Sequence, residues 1–252
     1  MKPVDCMDVY CDAEFYDLEF ERRDQEIPFF LKRAQMTGGP ILEICCGTGR
    51  ITLPIARMRV PITGLDISGP MLALARRKTE AENLSIEWIE RDCRDMRIEG
   101  QFALAFSATN AMQHLLDLGS VTSFLGSVHH ALRPQGSLII DVFNPDPAKL
   151  ARWPDKPYLH KTFTDRAGQT IRVEAASRYT AATQILSFDL RYLRDRELIK
   201  TKHVQMRCFF PEELMAICKF NGFKIVERFG DYDETPFSDT SPKQILVCEA
   251  IS

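Results

Sequence analysis

No run of about eighteen consecutive apolar residues occurs in the chain, which removes a membrane-spanning helix from consideration. Basic charge is not in excess either: 32 Lys and Arg stand against 35 Asp and Glu, a formal net charge of -3. Binding to nucleic acid normally leaves a basic face, so neither nucleic acid nor a membrane is expected as a partner. The eight cysteines, at 6, 11, 45, 46, 93, 208, 218 and 248, include no Cys-x-x-Cys pair. That spacing excludes the common zinc and dithiol sites, and no metal is expected. Cys45 and Cys46 adjoin, a poor geometry for an ordinary disulfide. They read as small apolar fillers with reduced thiols, a catalytic thiol being the sharper alternative. Met1-Lys2-Pro3-Val4-Asp5 lacks the apolar core of a secretory signal, so a cytoplasmic location is expected. No internal repeat or low-complexity segment is present.

What is present is an ordinary globular composition, 45% hydrophobic and 27% charged over 252 residues. That length allows one large α/β domain with room for an insertion. The chain is organised around Ile41-Leu42-Glu43-Ile44-Cys45-Cys46-Gly47-Thr48-Gly49-Arg50. An apolar run short enough for a buried strand breaks there into a glycine turn and then a helical pattern. Such a junction lets backbone approach a ligand where a Cβ would collide, at the carboxyl edge of a parallel sheet. A dinucleotide fingerprint would need a third glycine at position 52, and Thr52 stands there.

From Ile41 to Phe143 strand and helix patterns alternate, which predicts a doubly wound parallel sheet. Strands are expected at Ile41–Ile44, Pro61–Leu65, Ile86–Ile89, Phe102–Phe106 and Ser137–Phe143, with Pro134-Gln135-Gly136 as a turn. Helices are expected around Ile27–Ala34, Ile51–Met58, Met71–Ala75 capped by Ser68, and Val121–Leu132. Helical periodicity fades after Trp153, and three or four antiparallel strands follow before Phe210-Pro211-Glu212-Glu213-Leu214 opens a last helix, ended by Asn221-Gly222. Phe223–Arg228 and Gln244–Ala250 read as a closing antiparallel hairpin.

Glu43-x-x-x-Gly47-x-Gly49 resembles the first motif of the class I S-adenosylmethionine-dependent methyltransferases. Asp66, seventeen residues after Gly49, ends the second strand, and Asp92-Cys93-Arg94-Asp95-Met96 is similar to that family's Gly-Asp-Met element, with Arg91 in place of its glycine. The whole pattern looks like the small-molecule members with an antiparallel flap, a group that includes sugar-amine and glycine N-methyltransferases. The resemblance implies a seven-stranded, mainly parallel Rossmann-like sheet with an antiparallel β insertion between strands five and six. It divides the chain into a helical lid (1–38), a cofactor-binding core (39–143 and 207–252) and an inserted flap (144–206).

The resemblance also implies roles. Gly47 and Gly49 would bring bare backbone against the amino-acid half of S-adenosylmethionine, and Glu43 would serve its ammonium. Asp66 would accept both ribose hydroxyls, Ile67 would wall the adenine, and Asp92 would accept the adenine amino group beside Cys93. Tyr16 would reach across the cofactor, with packing of a lid helix as the structural alternative. Cys45 and Ser107, at the ends of strands one and four, complete the expected cofactor set. His114 is the candidate base; Asn110, Gln113, Asn144, Arg207 and Tyr232 are candidates for the acceptor site. Methylation of a nitrogen on a small metabolite or natural product is the first reading, and oxygen methylation the second. A nicotinamide oxidoreductase and a non-catalytic cofactor-binding module are weaker: Thr52 and the Asp92 element oppose the former, the full motif set the latter. The sequence leaves oligomeric state open, a homodimer included.

Overall fold

The computed structural model describes residues 10–152 and 156–251; Cys6, Trp153 and the Met1–Asp5 opening lie outside them. In chain order the strands are β1 (Ile41–Ile44), β2 (Ile62–Asp66), β3 (Glu87–Glu90), β4 (Phe102–Ser107), β5 (Leu132–Phe143), β6 (Tyr158–Thr164), β7 (Thr170–Thr180), β8 (Ile185–Arg194), β9 (Glu197–Arg207), β10 (Phe223–Phe229) and β11 (Lys243–Ala250). The helices are α1 (Ala13–Phe20), α2 (Ile27–Thr37), α3 (Thr52–Arg57), α4 (Gly69–Ala81), α5 (Leu118–Ala131), α6 (Pro147–Leu150) and α7 (Pro211–Phe220). Seven strands form one sheet in the order β10-β11-β5-β4-β1-β2-β3. β1 to β5 pair in parallel, and β11 enters antiparallel between β5 and β10. Chain order reverses at β1, which has β2 on one side and β4 on the other, the switch point where open α/β sheets bind ligands.

Strand alternation divides the core between the two faces of the sheet. Leu42 and Ile44 pack into one layer with Val121, Phe124 and Leu125 of α5. Ile41 joins the other with Phe30, Ile51, Ile55, Leu104 and Phe106. The alternation places Glu43 on the side of Ile41, a carboxylate inside an apolar layer. The expected fold class is therefore the observed one. Two boundaries differ. Pro134-Gln135-Gly136 is a bulge within β5, where Gln135 takes φ 62° and the register against β4 jumps from Phe102–Leu132 to Leu104–Ser137. β10 and β11 pair as expected and run one residue further at Phe229 and Lys243, with residues 230–242 connecting them.

The region before Ile27 also departs from the reading, since Ala13–Phe20 is itself helical. Asp12 caps it by accepting from the Phe15 N–H at 3.1 Å. Its sequence gives little amphipathic signal because it buries as few as two residues, Ala13 and Glu19, one of them charged. The smaller sheet, β6-β7-β8-β9, is wholly antiparallel and lies between β5 and α7 in sequence.

Gly64 on β2 sets how closely β3 can approach. A Cβ there would lie 2.3 Å from Trp88 Cζ3, and the Trp88 indole is held by its N–H bond to Thr79 Oγ1 at 3.1 Å. Gly64→Ala should therefore destabilise the protein by about 1–3 kcal/mol, the usual cost of overpacking. Urea denaturation measures it, and a change below about 0.5 kcal/mol would mean the indole moves aside at no cost.

Candidate active site

The chain leaves β1 through backbone that only a few residue types adopt readily. Cys45 (φ 59°), Gly47 (φ 56°) and Gly49 (φ 78°) are all left-handed. The two glycines serve different ends. A Cβ on Gly47 would meet nothing within 4 Å, so that position opens onto free space. A Cβ on Gly49 would stand 2.7 Å from Trp88 Cη2, so Gly49 is required by packing behind the turn.

The turn is fastened to β2 by Asp66. Its Oδ2 accepts from the Gly47 N–H at 2.7 Å and its Oδ1 from the Ser68 N–H at 2.8 Å. Burial nonetheless raises the Asp66 pKa above the usual carboxylate value, against the pull of those backbone donors. Ser68 caps α4 by accepting from the Met71 N–H at 3.5 Å, and its hydroxyl donates to the Tyr10 carbonyl at 3.2 Å. A single hydroxyl thus joins the sheet edge to the segment that enters α1.

Around this turn lies a cleft of about 110 Å³. Tyr16, Cys45, Gly47, Asp66, Ile67, Asp92 and Cys93 line it together with Tyr10, Ser68, Arg91, Thr109 and His114. Asp92 is half-buried. Burial raises its pKa, but the Arg94 guanidinium, bonded to both carboxylate oxygens, prevails and the net shift is downward. Three residues of the expected cofactor set do not reach the cleft. Gly49 faces Trp88. Ser107 is fully buried at the end of β4. Glu43 lies beneath the turn, where its Oε2 accepts from the Thr52 hydroxyl. Thr52, which replaces the dinucleotide glycine, thereby has its own task. Burial pushes the Glu43 pKa up to about 8, opposed by the Thr52 bond and by Arg50.

A second cavity, of about 230 Å³, shares Tyr10, Tyr16, Thr109 and His114 with the first. Its far wall comes from α1 and the small sheet: Glu19, Phe20, Lys161, Phe188, Tyr192 and Lys202. At the shared seam the Tyr10 hydroxyl and His114 Nε2 are 2.8 Å apart, and burial lowers His114 to a pKa of about 4. Burial raises the Tyr16 hydroxyl above its ordinary value. Of the residues expected at an acceptor site, Asn110 lines this cavity. The others serve the framework. Gln113 donates to the Arg207 carbonyl and accepts from the Phe143 N–H. Asn144 donates to the Ser241 carbonyl, and Arg207 to Gln184 and Glu213. The Tyr232 hydroxyl is buried on Asp141. His203 pairs with exposed Asp189 while its neighbours Lys202 and Val204 face the cavity.

Comparison with known proteins agrees with this fold. Residues 41–136 match the model of a methyltransferase domain family. The putative methyltransferase YqeM of Bacillus subtilis is 26% identical over 214 residues, 81% of this chain and 81% of its own length. Among solved structures, the CcbJ methyltransferase of Streptomyces caelestis superposes with a TM-score of 0.77 at 23% identity, covering 91% of this chain and 90% of that one. The sugar N-methyltransferase KedS8 of a Streptoalloteichus species gives 0.72 at 17%, over 94% and 93%. At those identities the structural likeness speaks for the fold.

The raised Glu43 pKa fixes the sign of a pH effect on stability. A carboxyl whose folded pKa lies near 8 binds its proton more tightly in the native state, so its contribution is full below its unfolded value and lost as pH rises through the folded one. Glu43→Gln should flatten the fall in stability between pH 5 and pH 8 (roughly the span from unfolded to folded pKa). Denaturation at several pH values tests it; parallel curves for wild type and variant would show that Glu43 is already ionised.

Proposed function

We propose that this chain, as a class I S-adenosylmethionine-dependent methyltransferase, methylates a nitrogen of a small metabolite or natural product held in the second cavity. The residues around the first cleft suit the cofactor, the open Cβ position of Gly47 above all. In this reading Gly47 and Cys45 bound its amino-acid half and Asp66 accepts its ribose hydroxyls. Ile67 walls the adenine, while Asp92 and Cys93 meet its polar edge. Tyr16 closes the cleft from α1. Glu43 acts from beneath, on the turn, without touching the ligand. When bound, the cofactor supplies an electrophilic methyl group for in-line displacement. The protein's part is to hold the acceptor behind that methyl and exclude water, which can contribute up to about 7–11 kcal/mol.

The choice of nitrogen rests on the seam. Its polar groups are two phenols, the Thr109 hydroxyl and a histidine whose pKa has fallen to about 4. None of them readily takes a proton at neutral pH. A neutral amine or ring nitrogen can attack unaided, whereas an unactivated hydroxyl must first be deprotonated. His114 accordingly acts as a partner of the Tyr10 hydroxyl at Nε2, orienting that phenol so that its oxygen can accept from the acceptor N–H. The sugar N-methyltransferase named above shares the fold and supports the same class of acceptor.

A methyl-donor consumption screen against amines, phenols and heterocycles tests the proposal, with turnover expected among amines and heterocycles; turnover confined to phenols would reverse it. Asp66→Asn should weaken S-adenosylhomocysteine binding tenfold to a hundredfold in calorimetry, matching about 1.5–3 kcal/mol for a bond to a charged acceptor. Unchanged affinity would place the ribose elsewhere. With His114 titrating near 4, the pH profile of kcat/KM should show no limb at pH 6–7 (the ordinary histidine range). His114→Gln should keep the profile's shape and lose less than about a hundredfold in rate. A limb near pH 6.5, abolished by that substitution, would make His114 a base.

A further inference from the structure

The second cavity is charged in a way that nitrogen methylation does not require. Arg23, Lys161 and Lys202 line it against a single carboxylate, Glu19. That carboxylate is already saturated. Its Oε1 accepts from the Tyr192 hydroxyl at 2.8 Å and lies 2.9 Å from Lys161 Nζ, while its Oε2 lies 2.8 Å from Lys202 Nζ. Arg23 has a carboxylate partner in Glu26, with Nε 3.2 Å from Oε1, but Glu26 also pairs with Arg50. Including that pair leaves the excess of two positive charges as it was. Asp141, whose field Arg23 also feels, is committed to Lys243 at 2.5 Å.

The three cations are not equally available. The Lys202 side chain is 6% exposed and sealed against Glu19, whereas those of Lys161 and Arg23 keep 26% and 28% of their surface open. The open ones come from different elements, Lys161 from β6 and Arg23 from the residues after α1. Phe20, His160, Phe188 and Tyr192 add aromatic rings to the wall, beside aliphatic residues of the small sheet.

We infer that the methyl acceptor carries an oxyanion, a carboxylate or a phosphate, which docks between Lys161 and Arg23 while its nitrogen reaches the seam at Tyr10 and His114. This rests on the second cavity being the acceptor site. Desolvation of two surplus cations is unfavourable unless a counter-charge arrives, and a bound oxyanion supplies it. The Lys161 pKa points the same way: burial lowers it, Lys202 and Arg23 lower it further, and Glu19 alone opposes them.

The test uses the full chain saturated with S-adenosylhomocysteine, titrated calorimetrically at low ionic strength with inorganic phosphate and, separately, with acetate. At least one should bind, and the stronger of the two identifies the oxyanion. Lys161→Gln and Arg23→Gln should each weaken that binding about tenfold or more, the scale of one charge-assisted contact. Both variants should keep S-adenosylhomocysteine affinity within about twofold, which shows that they fold. Failure of both anions to bind below about 50 mM, or equal binding in wild type and variants, would overturn the inference. Failure of wild type to bind S-adenosylhomocysteine would count instead against the methyltransferase reading, so the two failures are separable.

Discussion

The carboxyl rim of the sheet is held by buried carboxylates that accept backbone N–H groups from the neighbouring turn. Asp66 does this for the turn after β1, through Gly47 and Ser68. Asp141 does it for the turn after β4, accepting from the Thr109 N–H at 2.7 Å while its own carbonyl accepts from the Asn110 N–H at 3.1 Å. Thr109 is β-branched and has φ 53°, a conformation that costs of order 1–3 kcal/mol. A hydrogen bond to a charged acceptor returns about 1.5–3 kcal/mol, enough to hold it. The buried charge of Asp141 is in turn met by Lys243 at 2.5 Å and the Tyr232 hydroxyl at 2.7 Å. The closing segment between β10 and β11 therefore supports the turn that forms the seam between the two cavities.

The same network explains what the sequence could disclose. The cofactor half was legible because each part is local: a strand, a bare turn and an acid at a strand end fall within one short window and are registered by the parallel sheet. Gly47, Asp66, Ile67, Asp92 and Cys93 come to one cleft for that reason, whereas Tyr16 reaches it from α1. Glu43 and Gly49 sit in the same window but are turned by alternation and by Trp88 into the layers behind it. Spacing identifies the strand; it does not say which side of it meets the ligand.

The second cavity was illegible for a different reason. Its walls join α1 to strands more than a hundred residues later, and no local pattern records that Glu19 meets Lys161 and Lys202. On β9 the period of two is visible in the sequence but its phase is not: Lys202, Val204 and Met206 turn inward, and His203 outward. Gln113, Asn144, Arg207 and Tyr232 looked like mouth residues because polar side chains near strand ends often are. Each is instead consumed by a backbone or side-chain partner that sequence cannot supply.

The two cavities differ in charge: Asp66 and Asp92 meet Arg91 in the first, cations outnumber Glu19 in the second, and uncharged groups separate them. Acids surround the turn after β1, cations gather under the small sheet, and Tyr10, Tyr16, Thr109 and His114 lie between. That polarity bears on the protonation of an amine at the seam. A cationic neighbour disfavours an ammonium and lowers its pKa, and desolvation between aromatic rings acts in the same direction. Lys161 and Arg23 would thus do two things for one acceptor, holding its anionic end and keeping its nitrogen unprotonated where it must attack. A seam with no effective base would then be consistent with an acceptor that binds as the free amine, its ammonium form disfavoured by the neighbouring cations.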